Sequence, residues 1–221
     1  MKKGLVEIVF ILDKSGSMSG LEADTIGGYN SFLKKQRGED VDSLVSTVLF
    51  SDRSEIVHDR VPIADVEAMT ESQYSVGGST ALLDAVGDAI AHIRNVHKYA
   101  REEDRPEKTV FVITTDGEEN SSRRRSRAEV KKMVEKQKEE FGWEFVFLGA
   151  NMDAVSEAAK IGIEKDRAVT YECDSEGTAV NFSCMGNLLS SISRNVASCI
   201  DERIGPEWKD GIELYRKSKR H

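Results

Sequence analysis

The chain has 221 residues, a formal net charge of −8 and a pI near 5.2, with 39% hydrophobic and 32% charged residues. That length suits one large domain or two small ones, and the composition supports a packed core. The acidic balance disfavours general nucleic-acid binding, which needs a basic face against phosphate, and the sequence holds no apolar run long enough for a membrane-spanning helix.

The opening stretch, MKKGLVEIVFILD, mimics a secretion signal, with two lysines ahead of an apolar patch. Glu7 interrupts the patch, however, and Asp13 and Lys14 end it without a small-residue cleavage pattern. It reads as a first core strand over 5–12, and the chain is expected to be cytoplasmic. Residues 21–36 place Leu21, Ile26, Tyr29, Phe32 and Leu33 at helical spacing. Residues 43–50 read as a strand, and 54–61 alternate so as to pair with it as a hairpin across Ser51, Asp52 and Arg53. Residues 81–101 repeat Leu82, Val86, Ala89, Ile90, Ile93 and Val96 in helical steps, and 108–115 form a second buried strand. A helix over 125–140 carries Val130, Met133, Val134 and Gln137 on one face, followed by a strand at 143–149. A short helix at 152–160 stops at Gly162, a strand follows at 167–171, and a long amphipathic helix is expected over 177–201.

Strands that are apolar on both faces and separated by helices predict a doubly wound, mostly parallel α/β sheet with helices on both faces, the hairpin adding one antiparallel edge strand. No linker or repeat divides residues 1–201, read as a single domain. Residues 202–221 are read as a polar, basic tail, partly loose, with Trp208 and Tyr215 as anchors. Cys173, Cys184 and Cys199 are odd in number and form no CxxC pair, which argues against a disulfide framework. Cys184 and Cys199 are expected on an apolar helix face.

In open parallel sheets, ligands bind beyond the carboxyl ends of the strands. The first strand ends at Asp13 in DKSGSMSG, the strand at 108–115 ends at Asp116 in TTDGEEN, and GGSTALLD precedes the 81–101 helix. If the two strands are neighbours, their loops deliver Asp13, Ser15, Ser17, Thr80 and Asp116 to one place. All five offer hard oxygen, which suits Mg²⁺, with Mn²⁺ or Ca²⁺ as other candidates, and does not suit zinc. Two carboxylates only balance a divalent charge, so such an ion stays receptive to a carboxylate from outside. Ser79 or Thr80 can also serve as a plain helix cap.

These three motifs together resemble the von Willebrand factor type A (vWA) domain, and the alternation of elements resembles it across roughly residues 4–201. The resemblance implies a Rossmann-like doubly wound fold and a metal-ion-dependent adhesion site (MIDAS) at Asp13, Ser15, Ser17, Thr80 and Asp116. In that family's pattern Ser15 and Ser17 coordinate directly, Asp13 and Asp116 act partly through water, and Thr80 engages when ligand is bound. It also implies a non-enzymatic module that grips an acidic residue of a partner protein, closest in type to stand-alone bacterial intracellular members.

Other readings stand beside this one. The chain can be an accessory subunit of an ATPase or a stress-response complex. It can be a Mg²⁺-dependent phosphohydrolase with Asp13 as nucleophile, although Ser15 occupies the place where such enzymes want a second acid. Glu118, Glu119 and Asn120 read as a solvated loop, with rim groups that repel the wrong acidic ligands as the sharper reading. Arg123, Arg124, Arg125 and Arg127 read as a solvated cluster partly neutralised by Glu118, Glu119 and Glu129, with contact to an acidic partner as the sharper reading. His58, His92, His97 and His221 imply neither a metal pair nor a catalytic base.

Overall fold

The computed structural model describes residues 1–39, 41–200 and 203–219. In chain order the elements are β1 (Lys2–Asp13), α1 (Glu22–Gln36), β2 (Ser43–Phe50), β3 (Ser54–Pro62), α2 (Leu82–Tyr99), β4 (Pro106–Thr115), α3 (Arg127–Phe141), β5 (Glu144–Ala150), α4 (Ala154–Lys160), β6 (Ala168–Tyr171), α5 (Ser175–Ala197) and α6 (Asp210–Lys219). The six strands form one sheet in the order β3-β2-β1-β4-β5-β6, antiparallel only between β2 and β3. This is the doubly wound sheet expected from the alternation of apolar runs and helices.

Side-chain alternation along β1 divides the core in two. Val6, Ile8, Phe10 and Leu12 face α1 and α5, where Tyr29, Phe32, Leu33, Phe182, Met185 and Leu189 pack. Val9 and Ile11 face the other layer, where Val86, Ile90, Val130, Val134, Ala154 and Ala158 of α2, α3 and α4 pack. Both faces of the central strands are therefore dry, which is why β1 and β4 read as near-continuous apolar runs, broken in β1 by Glu7.

The chain leaves β1 through α1 toward β2 and β3, then returns through α2 to β4 on the other side of β1. The two crossovers diverge to opposite faces, so a crevice opens beyond the carboxyl ends of β1 and β4. Register sets Leu12 beside Thr114, which brings Asp13 and the segment after Thr115 to the same edge.

Two expectations change. The stretch from Pro206 is not loose: a short turn of helix and α6 pack on α5 and β6, with Trp208 and Ile212 buried. The Trp208 indole N–H donates to the Asp166 carbonyl at 2.9 Å, and the Tyr215 hydroxyl donates to Asp174, the N-cap of α5, at 3.0 Å. Mean polarity concealed the stripe that Trp208, Ile212 and Tyr215 make at helical spacing. Helix α5 also ends at Ala197, before Cys199, which is exposed at φ +53° rather than packed on a helix face. The expected helix end at residue 201 and the terminal His221 lie outside the described residues. Gly162 ends α4 at φ +81°, as expected of a left-handed stop. Among the described residues no helix is long and apolar enough to cross a membrane.

Candidate metal centre

The tip of β1 turns sharply because Asp13 folds its own loop over itself. Its Oδ1 accepts the Ser15 backbone N–H at 2.7 Å, which bends the chain back at Ser15. Its Oδ2 accepts the Thr115 hydroxyl at 2.6 Å, joining the end of β1 to the end of β4. The Tyr74 hydroxyl donates to the Asp13 carbonyl from the long segment before α2.

That turn presents the two serines to Asp116. The Ser15 and Ser17 hydroxyls lie 3.1 Å apart, and the Ser17 hydroxyl donates to Asp116 Oδ1 at 2.6 Å. A Cβ built on Gly117 would stand 3.0 Å from the Thr80 hydroxyl and 3.4 Å from that of Ser17, so Thr80 borders the same point and a side chain at Gly117 would crowd it. The Thr80 loop reaches this point through Gly78, whose carbonyl accepts the Gly16 N–H at 3.0 Å; its φ of +83° suits glycine. The structure thus gathers all five residues proposed from sequence, with Asp13, Ser15, Thr80 and Asp116 buried and Ser17 exposed.

Two carboxylates in a closed space are costly. Burial pushes the Asp13 carboxyl above its ordinary range against the pull of its hydrogen bonds from Thr115 and Ser15, and the charge of Asp116 adds to the rise. Burial likewise pushes Asp116 up, opposed by Ser17. Asp116 Oδ2 is buried with no hydrogen-bond partner among the described residues. A buried carboxylate oxygen left unpaired costs about 1–3 kcal/mol or more. A cation beside that oxygen would remove the cost, and the surrounding donors are all hard oxygen, so the residues fit a divalent ion. Among the described residues no group of three or more His, Cys, Asp or Glu is arranged to hold a metal, and here the two carboxylates are joined instead by hydroxyls.

A family model for the von Willebrand factor type A domain matches residues 7–183. The chain belongs to this family. Solved structures similar to this vWA domain share its fold at low identity. Proximal thread matrix protein 1 from the mussel byssus is 22% identical with a TM-score of 0.58, over 85% of this chain and 46% of that one. Another crystal of the mussel protein has a zinc-occupied MIDAS motif. A von Willebrand factor type A protein from Catenulispora acidiphila is 15% identical with a TM-score of 0.53, over 88% of this chain and 43% of that one. The manganese-loaded TRAP protein of Plasmodium vivax is 15% identical with a TM-score of 0.55, over 82% of this chain and 74% of that one. This vWA domain spans somewhat less than half the length of the mussel and Catenulispora chains. No curated protein matches the chain.

Sequence reasoning missed the braces of the vWA site. Neither Ser79 nor Thr80 caps α2, whose first residues make no capping bond of their own. The loop after Asp116 caps the helix instead. Asn120 Oδ1 accepts the Thr80 N–H at 3.0 Å while the Asn120 N–H donates to the Thr80 carbonyl at 3.1 Å. Glu119 accepts the Leu83 N–H at 2.9 Å, and Ser122 Oγ accepts that of Asp84 at 3.0 Å. Glu119 and Asn120 are therefore clamps between two site loops, not a solvated rim. No local pattern marks Thr115 or Tyr74 as braces.

The arginine run is also explained from within. The Asp84 carboxylate accepts the backbone N–H groups of Arg123, Arg124 and Arg125 at 2.8–3.0 Å. Arg124 and Arg125 side chains pair with Asp88, and Arg127 pairs with Glu157. The acids paired with these side chains are thus Asp84 and Asp88 on α2 and Glu157 on α4, while of the acids expected from sequence Glu129 feels the Arg125 charge without an ion pair. Burial works against ionisation of Asp84, yet the three amides and Arg124 together hold its carboxyl below the ordinary range.

A carboxyl depressed in the folded state adds stability that is present above its unfolded pKa and lost as pH falls through its folded pKa. We expect Asp84→Asn to lower stability at pH 7 by about 2–3 kcal/mol. The gap from wild type should close on acidification below about pH 4, as read from thermal melts across pH. A gap that is constant down to pH 2 would remove the charged cap from the account.

Proposed function

We propose that this vWA domain is a metal-dependent protein-binding module of the cytoplasm, which captures a carboxylate of a partner protein at a divalent ion held by Asp13, Ser15, Ser17, Thr80 and Asp116. The observation that carries the reading is the bare, buried Asp116 Oδ2 set among hydroxyls. Magnesium is the preferred ion, because it is typically held by one or two carboxylates and keeps several waters. The manganese and zinc of the related structures support a divalent ion in kind. When bound, the ion supplies positive charge and an exchangeable coordination position for the incoming carboxylate.

The chain's own residues set the rest. Asp13 is spent on orienting the Ser15 turn and Thr115, Ser17 orients Asp116, and the Asn120 clamp fixes the Thr80 loop. Phosphoryl transfer is the weaker reading: Ser15 stands where a second acid is wanted, and the Lys14 ammonium lies 3.1 Å from Glu55. The test immobilises wild type and Asp13→Ala and exposes each to lysate with Mg²⁺ and with chelator. Support is a partner held by wild type with metal and lost in the other three samples, whose affinity drops at least about tenfold when its seated Asp or Glu becomes the amide. Identical captures in all four samples would defeat the proposal.

A further inference from the structure

The rim of the metal centre carries charge that the folded chain leaves unanswered. Asp52 stands on the hairpin turn beyond β2, where a Cβ built on Gly78 would lie 2.5 Å from its Oδ1. Gly78 in turn holds the Gly16 N–H of the serine loop. Glu118 follows Gly117, whose own Cβ would lie 3.0 Å from the Thr80 hydroxyl. Glu22, at the start of α1, accepts the Gly20 N–H at 2.7 Å. Asp52 and Glu118 are exposed and Glu22 is half-buried, and none of the three forms an ion pair among the described residues.

Cations do not balance them. The Lys14 ammonium is held by Glu55 at 3.1 Å. Arg53, beside Asp52, is exposed and forms no ion pair among the described residues. Arg123 lies further out, where its backbone N–H meets Asp84 a helical turn below Thr80. A divalent ion and its two carboxylates sum to zero charge, so the free acids of the rim set the field that an arriving ligand meets. The other rim positions, Gly16, Ser17, Gly77, Gly78 and Ser79, hold small side chains or none, which leaves room for a main chain to lie across the centre. The bare Oδ2 of Asp116, a residue only 4% exposed, marks the same point as the seat of an ion.

Asp52 lies beyond β2 and Glu118 beyond β4, the two neighbours of β1, so they bracket the tip of β1 at about two strand spacings, roughly 10 Å. In an extended segment, the residues two before and two after a central acid point to the same side as that acid and stand about 13 Å apart. We propose that the carboxylate captured at the metal centre belongs to an extended partner segment with a lysine or arginine two residues to either side of it, seated on Asp52 and Glu118. This rests on the metal-capture reading and adds a selection rule to it: acids flanked by bases are taken, and acidic tracts are refused.

The probes are the capped peptides Gly-Lys-Gly-Asp-Gly-Lys-Gly, Gly-Gly-Gly-Asp-Gly-Gly-Gly and Gly-Glu-Gly-Asp-Gly-Glu-Gly. They are titrated into the wild-type chain at saturating Mg²⁺ and followed by the backbone ¹⁵N–H signals of Gly78 and Gly117. The lysine peptide should bind tightest and the glutamate peptide weakest, each step at least about fivefold at low salt. In about 1 M NaCl the steps should shrink to less than about twofold, because charges are screened within about 3 Å. The doubly substituted Asp52→Asn/Glu118→Gln, on exposed positions, should lose the steps at low salt as well. Chelator, or asparagine in place of the peptide's aspartate, should weaken the lysine peptide at least about tenfold. Equal affinity of the lysine and plain peptides for wild type, or steps that persist in the double variant, would overturn the selection rule and leave metal capture standing. Binding of the lysine peptide that chelator does not change would overturn it as well, by showing attraction to the surface alone. So would the absence of any Mg²⁺-dependent shift up to about 10 mM peptide; metal capture itself is judged by the lysate experiment.

Discussion

Asp116→Ala and Asp13→Ala should each weaken Mn²⁺ binding by about 100-fold or more in calorimetric titration. Each removes half of the negative charge that would face the proposed ion, from positions where burial keeps water from replacing it. Asp116→Ala also removes the one unpaired buried oxygen of the site. Asp13→Ala acts additionally through geometry, because the Ser15 turn and the Thr115 tie both close on Asp13. Asp116→Asn separates loss of binding from loss of fold. A carboxyl raised in the folded state binds more protons folded than unfolded between its two pKa values, so it subtracts stability as pH rises through that window. Burial raises both Asp13 and Asp116, so the metal-free wild type carries this destabilisation at neutral pH. Metal-free Asp116→Asn should therefore melt no lower than wild type at pH 7, and its relative advantage should shrink as pH falls toward about 4 and be gone below it. Saturating Mn²⁺, at about 100 times Kd, should stabilise only the wild type, by about 2.7 kcal/mol. Undiminished Mn²⁺ affinity in Asp116→Ala would remove this site from the account.

The largest expected effect on stability is Phe10→Ala, at about 3–5 kcal/mol in urea denaturation with chelator present. Phe10 is fully buried at the centre of β1, flanked by β2 and β4. Its ring meets Tyr29 at 5.3 Å and Phe32 at 4.9 Å, both edge-on, so the substitution removes aromatic contacts as well as volume. The backbone of β1 cannot collapse into the space, because sheet hydrogen bonds hold it on both sides. Such a loss is a large share of a typical domain stability of about 5–15 kcal/mol and corresponds to a melting point lower by roughly 6–20 °C. Phe10 does not touch the oxygen cluster, so the folded fraction should keep Mn²⁺ affinity within a few-fold of wild type. A loss below about 1 kcal/mol would mean that this layer of the core is loosely packed.

Much of the scaffold was legible from residue order because it is decided locally. Five apolar residues in a row, Ile8 to Leu12, with Leu5 and Val6 just ahead of Glu7, cannot face water on either side, so β1 had to be central; the steps from Leu82 to Ile93 could only be a helix with one dry face. The five oxygen donors were legible for a related reason: each sits within a few residues of a strand end or helix start, where the topology fixes its direction. Tertiary structure alone decided what braces them. Thr115 on Asp13, Tyr74 on the Asp13 carbonyl, Asn120 on Thr80 and Asp84 beneath the arginine loop join positions 39 to 102 residues apart. A hydroxyl or carboxylate has many possible partners at such separations, and only the packed sheet selects one. The same holds for the final helix, which is too polar to announce itself but has a buried seat for Trp208 and Ile212 once α5 and β6 are in place.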